Sequence, residues 1–334
     1  MSGNALATLF HPFDTGDIRS PDGSARALFF GAEPGFRPPP EFGASIVAVQ
    51  GFRPAFLALR AQGVDVGPEP EGGDFDLALV LAGRHRGRNE NWIAQAWNRL
   101  KANGLIVVAG ARDDGIDSLR KRVAAQVGIE GALSKYHGVA FWLRKDRSAA
   151  APFGDLDETI VDGRFVTAPG MFSSGRVDPG SRLLAQNLPA ELKGDAADFC
   201  AGWGYLSVEL LDRCPAISSV ELYEADYASL EAAHRNLAGA RAPTGFNWAD
   251  LAAEPVGRRF DVIVMNPPFH QSRAAEPDLG KRMIDAAARA LKPGGQLFVV
   301  ANRGLPYEAE IKRVLREPRE IARDGSFKVL WARR

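Results

Sequence analysis

Asn266-Pro267-Pro268-Phe269 ends the run Asp261-Val-Ile-Val-Met265, which reads as a buried strand. Two consecutive prolines stop a strand and remove two backbone donors, so the loop is stiff and presents carbonyl oxygens. The Asn266 side-chain oxygen and the Pro267 carbonyl can then both accept from a planar exocyclic –NH2 group. Held by both protons, such an amine aims its lone pair at whatever electrophile faces the loop. Phe269 adds a flat face on which a base can stack, a contact worth roughly 1–3 kcal/mol. No strong base is required, because an aniline-like amine can attack first and lose its proton afterwards. His270 could accept that proton, although a lone loop histidine is more often structural or solvated. Catalysis of this kind rests on near-attack positioning, worth on the order of 7–11 kcal/mol in favourable cases. The competing interpretation of these residues is a plain structural turn.

The electrophile has a candidate site upstream. Ala197-Asp198-Phe199-Cys200-Ala201-Gly202-Trp203-Gly204 follows a short apolar strand and leads into a helix that includes Val208 to Asp212. Gly202 and Gly204 allow a ligand to approach the backbone where any Cβ would clash. Asp198, at the strand end, can hold a cationic or hydroxyl-bearing group. A lone Gly-x-Gly also suits an ordinary strand-to-helix turn. Glu224 closes the next strand, 22 positions after Gly202, where an acid can accept both ribose hydroxyls of an adenosine cofactor. Asp250 suits an adenine amino group and equally suits the N-cap of a turn through Leu251-Ala-Ala-Glu254. Nicotinamide and S-adenosylmethionine proteins share this layout. Ser207 replaces the third glycine of the dinucleotide fingerprint, and no hydride-transfer arrangement is visible. The amine-holding loop decides for S-adenosylmethionine.

These residues need a scaffold, and the chain carries one twice. Phe75-Asp76-Leu-Ala-Leu-Val and Phe260-Asp261-Val-Ile-Val-Met each read as an acid entering a buried strand. Each is followed by an amphipathic helix, a glycine turn and an apolar strand, through Lys101 to Gly104 and Lys292 to Gly295. Both halves close on a tryptophan strand with a basic tip, at Trp142 and Trp331, 66 positions after Asp76 and 70 after Asp261. A duplicated α/β unit follows, with a boundary in the Ala/Pro/Gly-rich stretch Ser148 to Gly154. Alternating strands and helices imply mostly parallel sheets covered on both faces, with ligands at the carboxyl ends of the strands.

The first half lacks the chemistry of the second. Its opening strand runs into Ala32-Glu-Pro-Gly35 with no Gly-x-Gly. Gln50 stands where the other half has Glu224, and Leu81-Ala82-Gly83 where it has Asn266-Pro267-Pro268. A second active site is not expected. The same edge carries Arg84, Arg86 and Arg88, with Arg112 beyond the next strand and Arg120-Lys121-Arg122 on a following helix. These could grip RNA phosphates or form a solvated charged loop.

Composition sets bounds around this picture. A chain of 334 residues, 46% apolar and 25% charged, favours two soluble domains. Lys plus Arg and Asp plus Glu number 41 each, which argues against a nonspecific nucleic-acid coat while leaving room for a local basic patch. Cys200 and Cys214 offer no metal-ligand spacing and no disulfide framework. Met1 to Thr15 lacks the pattern of a signal peptide, and no apolar run approaches the roughly 20 residues of a membrane span. A cytoplasmic monomer without metal is expected.

In its tandem architecture and its Asn-Pro-Pro-Phe loop, the chain resembles the bacterial ribosomal RNA small subunit methyltransferase C family. The resemblance is strongest from Pro169-Gly-Met-Phe-Ser-Ser-Gly-Arg-Val-Asp178-Pro-Gly-Ser181 to Phe327-Lys-Val329. It implies two Rossmann-like class I methyltransferase domains with mostly parallel seven-stranded sheets. Residues 1–148 would form a degenerate domain for RNA binding or structural support, and residues 156–334 the catalytic one. It implies N2-methylguanosine formation in small-subunit rRNA, and Phe172 to Ser181 covering the methionine end of the cofactor. Cys200-Ala-Gly202-Trp203-Gly204 departs from the family's Gly-Cys-Gly-x-Gly, giving a bulkier turn. A sister family acting on a large-subunit guanine shares the layout. Protein-glutamine N5 and adenine-N6 methyltransferases hold similar amines, and a noncatalytic ribosome-assembly factor could retain the fold.

Overall fold

Near-continuous apolar runs such as Leu77 to Ala82 and Val262 to Met265 have no polar face to offer water, and they become the central strands of two sheets. The computed structural model describes residues 2–146, 149–154, 158–268 and 277–334. The chain divides into two compact units, Met1–Asp157 and Glu158–Arg334.

In the first unit the strands are β1 (Arg26–Phe30), β2 (Ser45–Val49), β3 (Val66–Gly67), β4 (Phe75–Ala82), β5 (Leu100–Ala111), β6 (Gly131–Lys135) and β7 (Gly138–Arg144). Their sheet order is β3-β2-β1-β4-β5-β7-β6. The second unit opens with a hairpin, β8 (Thr159–Val161) and β9 (Phe165–Thr167). Its sheet contains β10 (Lys193–Phe199), β11 (Ala216–Glu224), β12 (Thr244–Trp248), β13 (Phe260–Met265), β14 (Leu291–Asn302), β15 (Arg316–Arg323) and β16 (Phe327–Arg333). The order β12-β11-β10-β13-β14-β16-β15 repeats that of the first unit strand for strand. In each sheet only the last two strands run antiparallel to their neighbours. Both units are thus the mostly parallel seven-stranded α/β sheets expected.

Helices α1 (Ser2–Asp14), α2 (Arg53–Ala61), α3 (Arg86–Arg99) and α4 (Ile116–Ala124) serve the first sheet. The second sheet has α5 (Pro179–Gln186), α6 (Tyr205–Arg213), α7 (Tyr227–Asn236), α8 (Pro277–Ala290) and α9 (Tyr307–Val314). Alternate residues of each strand enter opposite cores. Val262 and Val264 pack with Leu184, Leu210 and Leu230, while Ile263 and Met265 pack with Ile284, Ala287 and Ile311. The helices therefore cover both faces, and the sheet is held rigid beneath its carboxyl edge.

The duplication extends to individual contacts. Asp76 accepts from the Arg26 backbone N–H at 2.9 Å and from Lys101 Nζ at 2.6 Å. Asp261 does the same with the Asp195 N–H at 2.8 Å and Lys292 Nζ at 2.7 Å. Leu79, Val107 and Trp142 lie in one row across three strands, as do Val264, Phe298 and Trp331. The glycine turns after the helices are bulges: the first strand residue pairs early, at Leu100 and at Leu291, and pairing resumes at Leu105 and at Gln296.

One element breaks the symmetry. The β10–β11 crossover contains α6, whereas none of the first unit's helices falls between β1 and β2. Pro38-Pro39-Pro40 in that crossover cannot sustain a helical ladder. The first unit consequently has no helix N-terminus where the second has its glycine turn.

Candidate active site

After β10 the backbone turns sharply through two left-handed residues, Cys200 (φ 62°) and Gly202 (φ 55°), before Gly204 (φ 86°) caps α6. A cysteine in that conformation is uncommon. Gly31, at the equivalent point after β1, has φ 70°, so the turn is a property of the fold. The two glycines of the second unit have different work. A Cβ on Gly202 would meet nothing within 4 Å, leaving the backbone open to a ligand. A Cβ on Gly204 would lie 2.8 Å from Leu237 Cδ1 and 3.1 Å from Ala233 Cβ, so Gly204 allows α7 to pack closely. The Cys200 sulfur lies 3.2 Å from Met283 Sδ. Burial pushes its thiol well up, aided by the charges of Glu224 and Asp198, which suits packing rather than nucleophilic chemistry.

Two acids flank this turn. Asp198 is fully buried; Ser207 Oγ donates to its Oδ2 at 2.8 Å, and Oδ1 has no partner among the described residues. Burial pushes its carboxyl up to about 7, opposed by the Ser207 hydrogen bond and aided by the charge of Glu224. Glu224 accepts from the Gly202 N–H at 2.7 Å and from the Ala225 and Asp226 N–H groups at 2.8 Å each. Burial pushes it to about 7 as well, against those three backbone hydrogen bonds. Asp250 accepts from the Ala252 N–H at 2.9 Å, and its own N–H donates to Glu254 Oε2 at 2.8 Å. It therefore forms the turn cap that its sequence context also allowed.

The acceptor loop leaves β13 beside these groups. Asn266 Nδ2 donates to Asp178 Oδ2 at 3.0 Å and to Ser181 Oγ at 2.7 Å. Its Oδ1 is buried with no partner among the described residues. The amide orientation is therefore fixed, and an acceptor is left waiting. Pro267 is buried behind it. Phe269 and His270 lie outside the described residues. Asn266, Asp178, Ser181, Cys200, Gly202 and Trp203 line one pocket together with Phe172, which is 56% exposed at its rim. Trp203 Nε1 donates to the Phe172 carbonyl at 2.9 Å, and the Asn236 amide ties the Trp203 carbonyl to Val166 of β9. The bulkier turn thereby anchors the Phe172 segment over the pocket.

Sequence reasoning placed Ser181 with the cofactor; its hydroxyl accepts from the Asn266 amide in a pocket that Gly202 also lines. Asp178 was not singled out. It caps α5 by accepting from the Ser181 N–H at 2.8 Å, and the signal was available in Asp178-Pro179-Gly180-Ser181, an N-cap followed by proline at the first helical position.

The first unit closes every equivalent position on itself. Gln50 Nε2 donates to the Ala32 carbonyl at 2.7 Å, and its Oε1 accepts from the Phe52 N–H at 2.9 Å. Asn89 clasps Gly83, accepting from its N–H at 3.0 Å and donating to its carbonyl at 2.6 Å. Trp92 fills the space beside Gly31, where a Cβ would lie 2.7 Å from its ring. Arg84 pairs with Asp114 at 2.9 Å and Arg86 with Glu90 at 2.9 Å. Arg112 bonds Asp117 at 3.1 Å and Ser134 at 2.8 Å. Among the described residues no group of three or more His, Cys, Asp or Glu side chains could hold a metal ion. No described helix is long and apolar enough to cross a membrane.

Residues 162–331 match the family model of the methyltransferase small domain. Ribosomal RNA small subunit methyltransferase C of Pectobacterium atrosepticum is 36% identical over 266 residues, spanning 78% of this chain and 74% of the relative. The enzyme of the same name from Pseudomonas aeruginosa is 32% identical over 274 residues, spanning 78% and 80%. The chain belongs to the ribosomal RNA small subunit methyltransferase C family. A family-like tandem fold is seen in the T. thermophilus 16S rRNA N2 methyltransferase solved with AdoMet and guanosine, with a TM-score of 0.79 over 99% of this chain and 91% of that one, at 24% identity. The small-domain match of this family member lies wholly within its second unit, which contains the unpaired Asp198 and Asn266 oxygens.

Proposed function

We propose that this chain transfers the methyl group of S-adenosylmethionine to the exocyclic N2 of a guanine in 16S rRNA. The observation that carries the reading is the Asn266 side chain, whose amide N–H groups are committed to Asp178 and Ser181 while its buried oxygen is unpaired. The cofactor supplies an electrophilic methyl group on a cationic sulfur. The residues present suit it: Asp198 offers an unpaired buried carboxylate oxygen, Gly202 an open backbone, and Glu224 a carboxylate for ribose hydroxyls. Cys200, Gly204 and Asp250 shape the turn and strand ends around them.

Asn266 Oδ1 and the Pro267 carbonyl accept the two amine protons. As the nitrogen attacks, positive charge grows on it and both hydrogen bonds strengthen, so they stabilise the transition state more than the ground state. The proton leaves afterwards, and no described residue has to act as a strong base. Pro268 stiffens the loop, and Phe269 supplies the stacking face. Arg84, Arg86, Arg88 and Arg112 of the first unit hold RNA phosphates, and the enzyme works as a cytoplasmic monomer on the small ribosomal subunit.

The test uses tritium-labelled S-adenosylmethionine with unmodified small and large ribosomal subunits, followed by nucleoside analysis. Label in N2-methylguanosine of the small subunit is expected, with a fall of about 10²–10³ for Asn266→Ala. Label in the large subunit would retain the chemistry and refute the target. Label in N6-methyladenosine or protein would refute the acceptor, and no label anywhere would favour an assembly factor.

A further inference from the structure

We propose that Asp178 reads the Watson–Crick edge of the target base, its Oδ1 accepting the N1–H of the guanine whose N2 is held by Asn266. The inference rests on the function proposed above and assigns the group that makes the site guanine-selective. Asp178 Oδ2 is committed twice, to the Ser181 N–H at 2.8 Å and to Asn266 Nδ2 at 3.0 Å. The other carboxylate oxygen makes no hydrogen bond among the described residues, and Asp178 is half-buried in the wall of the pocket beside Asn266. The side chain is held at the start of α5, and a Cβ on Gly180 would come 3.1 Å from Oδ2, so glycine there leaves the carboxylate its place.

The chemistry follows from donors and acceptors. Asn266 Oδ1 and Asp178 Oδ1 are two acceptors carried by hydrogen-bonded neighbours. Guanine presents two adjacent donors, N1–H and N2–H. Adenine presents an amine next to a bare N1 lone pair, which would face a carboxylate oxygen with no proton between them. A glutamine amide has no ring N–H to offer. A site built to bond a donor rejects an analogue lacking it, because its own buried acceptor is then left unpaired. Asp178 is thus a specificity residue, while Asn266 holds the reacting amine.

Asp178→Asn gives a sharp test, since asparagine is as good an N-cap as aspartate and keeps α5 intact. Its oxygen must stay on the Ser181 and Asn266 donors, which turns its –NH2 toward the pocket. That group matches 2-aminopurine, which carries the 2-amino group beside a bare N1. Small subunits would be reconstituted with guanine or 2-aminopurine at the position the wild-type protein labels. Wild type should prefer guanine by at least about tenfold in kcat/KM, and Asp178→Asn should erase or invert that ratio. Ser181→Ala, which loosens Asn266 and leaves the Asp178 oxygen in place, should slow both substrates and keep the preference. An unchanged ratio in Asp178→Asn overturns the assignment, whether both rates fall together or S-adenosylmethionine affinity falls instead. Loss of the preference in Ser181→Ala overturns it too. Wild type that labels no guanine at all is the separate failure of the proposed reaction.

Discussion

Replacing Asp198 by Asn should flatten the pH dependence of stability. The wild-type carboxyl titrates from 3.8 in its ordinary state to about 7 in the fold, chiefly through burial. A raised folded value means that the native state binds the proton more tightly than the unfolded chain. Stability from this group is therefore complete below the unfolded value and is lost as pH rises through the folded one. That rise corresponds to about 4 kcal/mol in the alkaline limit. Integrated between about pH 5.5 and about pH 8.5, the loss is about 2 kcal/mol, because part has already occurred by the lower pH. Asparagine keeps an oxygen for Ser207 and leaves an N–H group unpaired in its place, at a cost of about 1–3 kcal/mol that does not vary with pH. The level of stability is thus a poor readout and the slope a good one. Urea midpoints of both proteins at several pH values give it, and the difference between them reports Asp198 together with its coupling to Glu224. Wild type should lose about 2 kcal/mol more than Asp198→Asn across that window. Parallel curves would refute the account of a buried carboxylate kept short of partners. Adding S-adenosylmethionine should release protons near pH 6 and fewer near pH 8.5, since the ionised forms of Asp198 and Glu224 serve the ligand.

Gly204→Ala should destabilise the second unit by about 1–3 kcal/mol, because the new Cβ meets Leu237 and Ala233 at a left-handed backbone position; a change within 0.5 kcal/mol in thermal unfolding would contradict the packing role. Asn89→Ala should cost about 1–3 kcal/mol by freeing both backbone groups of Gly83, while calorimetry finds S-adenosylmethionine affinity unchanged; weakened affinity would mean the first unit serves the cofactor after all. Neutralising Arg84, Arg86, Arg88 and Arg112 together should weaken binding to ribosomal subunits and reduce the salt slope by up to about 3, and equal affinities at every salt concentration would remove the RNA role. The ion pairs of Arg84 and Arg112 are no obstacle, since exposed pairs contribute only about 0–1 kcal/mol and can be exchanged for phosphates, and Glu90, the buried partner of Arg86, keeps Arg122 at 2.7 Å.

Much of the fold was legible because its signals are local or periodic. The two Phe-Asp strands, the basic glycine turns and the tryptophan strands all recur in sequence, and the structure aligns them residue for residue. Asn266 was legible because two prolines leave only acceptors on the loop. What escaped sequence reading depends on tertiary proximity. Asp178 meets Asn266 across 88 positions, and Asn236 ties down β9 from 70 positions away. No period or propensity encodes either pairing. The same limit applies to Gly204, where the pattern suggested ligand approach and a helix packs closely against it. The missing helix between β1 and β2 is different. Pro38-Pro39-Pro40 announces it, because three consecutive prolines cannot sustain a helix.

The two units offer a comparison between a candidate site and its counterpart on one sheet topology. Where the first unit has Gln50, an amide donates with one end and accepts with the other, and both ends are satisfied within the loop. Where the second has Glu224, a carboxylate can only accept, and its neighbour Asp198 retains an unpaired oxygen. Gly83, the counterpart of Pro268, is closed by both ends of the Asn89 amide from α3, whereas Asn266 uses its nitrogen alone and leaves its oxygen unpaired. Unpaired buried polar atoms cost about 1–3 kcal/mol each. The first unit demonstrates that this fold can remove that cost with ordinary amide side chains. The second leaves the Asp198 and Asn266 oxygens unpaired at its strand ends, where the proposed cofactor and amine would bind, whereas the first unit's own unpaired buried atoms, Arg99 Nε and Arg120 Nε, lie on α3 and α4.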